Sequence, residues 1–209
     1  SERLDYYNEN IWKRSDRYKH NKKDPPITKR GVIIAKDATV RILSDINNNI
    51  RFYKYIYSSP FSRCIDTSIV IARSIEMKTK HKLLIRVEYS LRELYPIPLQ
   101  TLMDEEMKTD CLFIRYHEHQ DLFDKMYVPF IDFDECKDSC LNPLNEFYLP
   151  FDTIEKINKQ DINSIICTHG LNLASLHIKF PTERITQISD SNEKKGRSLA
   201  SYCYTCKID

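Results

Sequence analysis

The sequence predicts an α/β fold: a three-layer, mostly parallel sheet flanked by helices. Three observations carry that expectation. Short apolar runs of strand character alternate with segments of helical periodicity along most of the chain. Three of those runs end in polar residues capable of chemistry, as strands of open α/β sheets do where they meet a ligand. The 209 residues, 41% of them hydrophobic, are enough to bury one sizeable core. A single domain over 1–209 is therefore expected, with a variable insertion at about 96–150.

Residues 1 to 27 are polar and charged and end in Asp24-Pro25-Pro26; they read as a long loop with one helical turn around Ile11 and Trp12. From Thr28, TKRGVIIAKDATVRILSDI sets apolar residues at helical spacing behind a threonine cap. RFYKYIY (51–57) reads as a strand of ordinary aromatic composition. Ser58-Ser59-Pro60 is the turn that caps the next helix, in which Phe61, Cys64, Ile65, Ser68, Ile69 and Ala72 share one face. KLLIRVEY (82–89) is a second strand. Between 95 and 161 the pattern thins. PLQTLMDEEMK (98–108) and HQDLFDKMY (119–127) have helical spacing, whereas 129–150 is irregular and punctuated by proline. DTIEKINKQ (152–160) is a helix feeding a third strand, INSIICTHG (162–170). LNLASLHI (171–178) is a short helix, and SLASYCYTCKI (198–208) closes the chain as a fourth strand.

Composition removes several classes of function. With 32 basic against 30 acidic residues the net charge is only +2, unlike a dedicated nucleic-acid binder. No run of about 18 apolar residues exists, so no membrane partner or span is expected. Three glycines leave no material for a glycine-rich nucleotide loop. Seven cysteines, odd in number and without framework spacing, read as reduced thiols of a cytoplasmic protein. Cys136 with Cys140, and Cys203 with Cys206, are close enough in sequence to suggest zinc. On a strand, however, Cys203 and Cys206 fall on opposite faces, so no structural metal is expected. No signal-peptide pattern opens the chain, which begins at Ser1 rather than Met.

The residues at the strand ends point to a site. SSPFSR follows the first strand and puts Arg63 in the first turn of a helix, where a cation is disfavoured by a few tenths to about 1 kcal/mol. Either Arg63 reaches into water or an anion lies between it and the helix end. EYSLRE follows the second strand, with Glu88 and Glu93, and CTHG ends the third, with His169. If the strands lie side by side, an arginine, a histidine and a carboxylate converge on one crevice. That set suits a phosphate ester. Arginine offers paired donors matched to phosphate oxygens, and the helix start adds backbone donors. His169 can stabilise charge on the transferring oxygens, and a carboxylic acid can protonate the leaving alcohol. Each residue also has an ordinary reading, a solvated arginine, a Thr-His-Gly corner or a surface glutamate; only convergence makes them a site.

SERLD, DPPIT with the following helix and Gly31, IYSSPFSRCIDT, VEYSLREL and CTHG occur in this order. The combination resembles the histidine phosphatase superfamily, with its phosphoglycerate-mutase-like fold. It is most similar to the phosphatase domain of the ubiquitin-associated and SH3-domain-containing proteins, whose opening motif is Arg-His-Gly-Glu-Arg-x-Asp. The resemblance implies hydrolysis of phosphate monoesters through a phosphohistidine, without metal or other cofactor, on a phosphorylated small molecule or phosphoprotein. By position, Glu2 and Arg3 match the Glu-Arg of the opening motif. Arg3 and Arg63 then bind phosphate, His169 helps hold the transferring phosphoryl group, and Glu93 is the proton donor with Glu88 as fallback.

The departure lies at the start. The nucleophilic histidine of Arg-His, and the first central strand that carries it, would precede Ser1, and His20 is not placed to substitute. The resemblance therefore implies either a fragment of a longer phosphatase or a degenerate member that binds phospholigands or partners without catalysis. Unpaired backbone around a lost central strand, at about 1–3 kcal/mol per group, favours the fragment.

Overall fold

The computed structural model of the protein describes residues 9–14, 24–46, 49–93, 111–132, 134–135, 143–161, 163–170 and 172, and two short strands at 185–187 and 206–208. Helix α1 is Glu9–Arg14. Helix α2 is Lys29–Asp45, and Thr28 caps it, its Oγ1 accepting from the Gly31 N–H at 2.9 Å. A 3₁₀ turn over Asn49–Phe52 leads to strand β1, Tyr55–Ser58, which is followed by helix α3, Ser62–Thr79. Strand β2 is Leu84–Val87, with a second 3₁₀ turn at Tyr89–Leu91. Helix α4 is Cys111–Glu118, helix α5 is Pro143–Gln160, and strand β3 is Ser164–Cys167.

The three strands form a parallel sheet in the order β2-β1-β3. Ser58 stands in register with Val87 on one side and Cys167 on the other. Strand alternation then divides the core into two layers. Ile56, Ile85, Val87, Ile165 and Cys167 face α3, whose Ile65, Ile69, Ala72 and Ile75 cover them. Tyr57 and Ile166 face the other way, onto Phe151, Ile154 and Ile157 of α5. Full burial of an isoleucine such as Ile56, Ile65, Ile75 or Ile85 contributes about 1.5–3 kcal/mol. Helix α2 packs against α3 through Gly31, Ala35, Ala38 and Thr39, small side chains that allow close approach.

Four expectations change. RFYK is not strand: Asn49–Phe52 coils into the 3₁₀ turn, which buries Ile50 and leaves Phe52 outside. HQDLFDKMY is not helical. It follows α4 as turns, and the Ile85 N–H donates to Leu122 O while Asp124 N–H donates to Ile85 O, so a one-residue bridge at Phe123 extends the sheet beyond β2. The demand for Leu122 and Phe123 in the core overrides their local helical spacing. The end of the irregular stretch is helical, because α5 starts at Pro143, a favoured first-turn position, and runs through Pro150. Finally, the described end of the last strand lies outside the parallel sheet: β5, Cys206–Ile208, pairs antiparallel with β4, Ile185–Gln187, a strand the periodicity did not reveal. PLQTLMDEEMK, most of LNLASLHI, and Cys136, Cys140 and Cys203 lie outside the described residues.

Candidate functional site

The parallel ladder continues one step past the strands and aligns their ends. The Ser59 N–H donates to Cys167 O at 3.0 Å, and the Glu88 N–H donates to Ser58 O at 2.9 Å. Residues 59, 88 and 168 thus leave the sheet at one level on its carboxyl edge. Behind that edge, Thr168 Oγ1 donates to Leu91 O (2.8 Å), and Asn172 Nδ2 donates to Leu91 O (3.2 Å) and Arg92 O (2.9 Å). These bonds tie the turn before Glu93 to the end of β3 and set Glu93 against His169. Sequence reasoning had no signal for Asn172; its role appears only when residues 80 positions apart are brought together.

Arg63 is 6% exposed, and its guanidinium bridges three groups. Nη1 donates to Asp24 Oδ1 at 3.2 Å, and Nη2 donates to the Glu93 carboxylate and to His169 Nδ1, the latter at 3.1 Å. His169 is 4% exposed, and its Nε2 lies 2.8 Å from Ser59 Oγ. Phe61 stands edge-on to its ring with centroids 5.2 Å apart, and also lies under the guanidinium, with Arg63 Cζ 4.7 Å from the ring centre. Cys64 Sγ is 3.7 Å from His169 Nε2.

The tautomer of His169 follows from its partners. A guanidinium only donates, so Nδ1 accepts from Arg63, and the ring hydrogen of the neutral imidazole lies on Nε2, donating to Ser59 Oγ. Ser59 Oγ also lies 3.4 Å from the Phe61 N–H, which donates to it. Ser59 is therefore an acceptor here, and among the described residues no base takes its proton. The geometry does not make Ser59 and His169 a nucleophile and base pair.

Asp24 is the residue that the sequence reading missed. It is 3% exposed, and its Oδ2 accepts from the Ser62 N–H, the first of α3, at 2.8 Å. Burial pushes its carboxyl up, while the charge of Arg63 and the Ser62 N–H pull it back. The anion between Arg63 and the helix end is thus a carboxylate of this chain, delivered from 38 residues upstream. Its only sequence signal was Asp-Pro-Pro before a capped helix, which reads equally well as a plain turn.

Glu88, the fallback acid, takes part in a different set of contacts. It is fully buried and accepts from Tyr127 Oη, from the Phe130 N–H at 2.9 Å and from Ser90 Oγ at 3.4 Å. Burial holds its carboxyl above the ordinary range, and those three donors act in the opposite direction. Its contacts anchor residues 127–130 beneath the sheet edge. Glu2 and Arg3 lie outside the described residues. Among the described residues no cluster of His, Cys, Asp and Glu could hold a metal, and no helix is long and apolar enough to cross a membrane.

A parallel sheet covered on both faces, with an arginine after one strand and a histidine after its neighbour, is the α/β architecture of the phosphoglycerate-mutase-like fold. Among solved structures the chain is similar to the ecdysone phosphate phosphatase from Bombix mori, determined in complex with tungstate. The match covers 90% of this chain and 69% of that one, with a TM-score of 0.55 and 18% identity, and it establishes the fold. No family model and no curated protein matches the sequence.

Proposed function

We propose that the chain is a domain of phosphatase lineage that takes the phosphoryl group of a phosphate monoester into the crevice between Arg63, His169 and Glu93. The observation that supports this is their convergence: Arg63 Nη2 reaches both His169 Nδ1 and the Glu93 carboxylate at the carboxyl edge of the sheet. In this reading a phosphoryl oxygen replaces Glu93 on Nη2, and His169 donates to a second oxygen. Glu93, once off the guanidinium and protonated from solvent, gives that proton to the leaving alkoxide as the P–O bond breaks, and water then hydrolyses the phosphohistidine. The attacking histidine belongs to the Arg-His pair expected ahead of Ser1, with Arg3 as a further ligand. Arg63 supplies the cationic donor and His169 a neutral Nε2–H, and no metal has a role. The tungstate-bound neighbour supports the reading, since tungstate is a tetrahedral oxyanion shaped like phosphate. The motif resemblance to the ubiquitin-associated and SH3-domain-containing branch implies a phosphoprotein or small phosphorylated molecule as substrate.

A second reading, a module that binds a phospholigand or partner without turnover, draws on the same network. Asp24 and Glu93 engage Arg63 on both terminal nitrogens, so the site holds its cation without any chemical step. The test is calorimetric titration of the purified 209-residue chain with orthophosphate and tungstate, with p-nitrophenyl phosphate hydrolysis measured alongside. Saturable binding is expected, weakened at least about tenfold by Arg63→Ala, the loss of one or two charge-assisted bonds. Vanadate-sensitive turnover by this chain would place a nucleophile within it. Binding without turnover is followed by extending the chain with an N-terminal strand ending in Arg-His: turnover gained favours the enzyme, and none favours the module. A folded chain that binds neither anion would sink both.

A further inference from the structure

Resting on the phosphate reading, we infer that Asp24 is a positioning residue that aims Arg63 at the phosphoryl group. The two oxygens of one carboxylate hold two consecutive residues of α3: Oδ2 takes the Ser62 N–H and Oδ1 takes Arg63 Nη1. A guanidinium is planar, so fixing Nη1 fixes the direction of Nη2. Nη2 is the nitrogen that meets His169 and Glu93, the place assigned to the phosphoryl oxygens. The clasp is rigid at both ends. Asp24 precedes Pro25 and Pro26, which restrict its backbone to extended conformations, and the segment runs directly into the Thr28 cap of α2. On the other side, Thr67 Oγ1 donates to Arg63 O at 2.7 Å within the helix.

Asp24 also solves a problem of charge. A cation in the first turn of a helix, almost wholly removed from water, needs a counter-charge that survives ligand exchange. Glu93 cannot serve, because it must leave Nη2 when phosphate arrives. Asp24 stays on Nη1 throughout, so Arg63 remains paired and oriented whether the crevice is full or empty.

The experiment is a double-mutant cycle on the full 209-residue chain, reading orthophosphate affinity by calorimetry and folding by circular dichroism. Asp24→Asn is expected to weaken orthophosphate binding about tenfold, as loss of an outer-shell partner does. In an Arg63→Gln background the same change is expected to have no further effect. A merely structural Asp24 would lower the melting temperature and leave the affinity of the folded fraction unchanged. That result, or additive losses in the cycle, would overturn the inference. Asp24→Ser keeps an acceptor for the Ser62 N–H and gives the same comparison if Asp24→Asn does not fold. Failure of orthophosphate to bind the unmutated chain would strike the phosphate reading itself, and is seen before any variant is made.

Discussion

At the scale of the residue, two buried carboxylates show how surroundings divide labour among similar groups. Asp24 faces a guanidinium and a helix start, whereas the groups that donate to Glu88 are neutral, a phenol, an amide and a hydroxyl, with the charge of Lys156 a lesser influence. Desolvation is the largest influence at both, and it raises the Glu88 carboxyl above the ordinary value of 4.5. The folded state then holds a proton at pH values where the unfolded chain has released it, so stability falls as pH rises through that window. Urea unfolding between about pH 4 and pH 7 is expected to show this slope in the unmutated chain, and a shallower one in Glu88→Gln. Equal slopes would mean that Glu88 titrates as it does in the unfolded chain. Glu88 and Glu93 looked alike in sequence, two acids in one EYSLRE segment. Only tertiary partners separate them, one held by Tyr127 and Phe130 and the other by Arg63.

At the scale of the element, starts of helices were more legible than ends. Thr28 announced α2 because its hydroxyl satisfies an otherwise orphaned N–H. The end of α3 carried no such signal, since the chain has only three glycines to spend on helix stops. Lys80 takes the left-handed position instead, with φ 61°, its N–H donating to Glu76 O at 2.9 Å. A side chain with a Cβ is strained there, so Lys80→Gly is expected to raise stability by about 1 kcal/mol, read as a shift in the urea midpoint at constant slope. An unchanged midpoint would show that neighbouring contacts already absorb the strain. The missed helix over 143–150 and the false one over 119–127 share a cause. Local spacing says little where prolines sit inside a packed helix or where core demand draws Leu122 and Phe123 to the edge of β2.

At the scale of the whole molecule, the two-sided sheet was legible because strand alternation and the strand-end residues agree. Ile56 and Tyr57 point to opposite layers, while Ser59 and His169 emerge at the same edge. Their meeting, and Glu93 beside them, needed only that three strands lie parallel. The Asp24 clasp and the Asn172 tie needed loops whose paths no periodicity encodes. A half-buried arginine salt-bridged across the second layer completes the frame: Arg86 Nε donates to Asp124 Oδ2 and its Nη1 to Asp161 Oδ2, both at 2.8 Å, and its Cζ lies 3.3 Å from the Tyr55 ring centre.

The pairing of β1 with β3 has a consequence in time. Tyr55 meets Leu84 after one short excursion of chain, but meets Ser164 only after a loop more than three times as long. Closing the longer loop costs more entropy before any contact repays it, so β1, α3 and β2 are expected to assemble first and β3 to dock late. Pulse-labelled hydrogen exchange during refolding should therefore protect the Leu84 and Glu88 amides, which bond Lys54 O and Ser58 O, before the Ser59 amide, which bonds Cys167 O. Simultaneous protection would mean that the strands condense together. Because His169 arrives with β3, the crevice is the last part of the sheet to exist, and an anion that fits it can recognise only the finished chain.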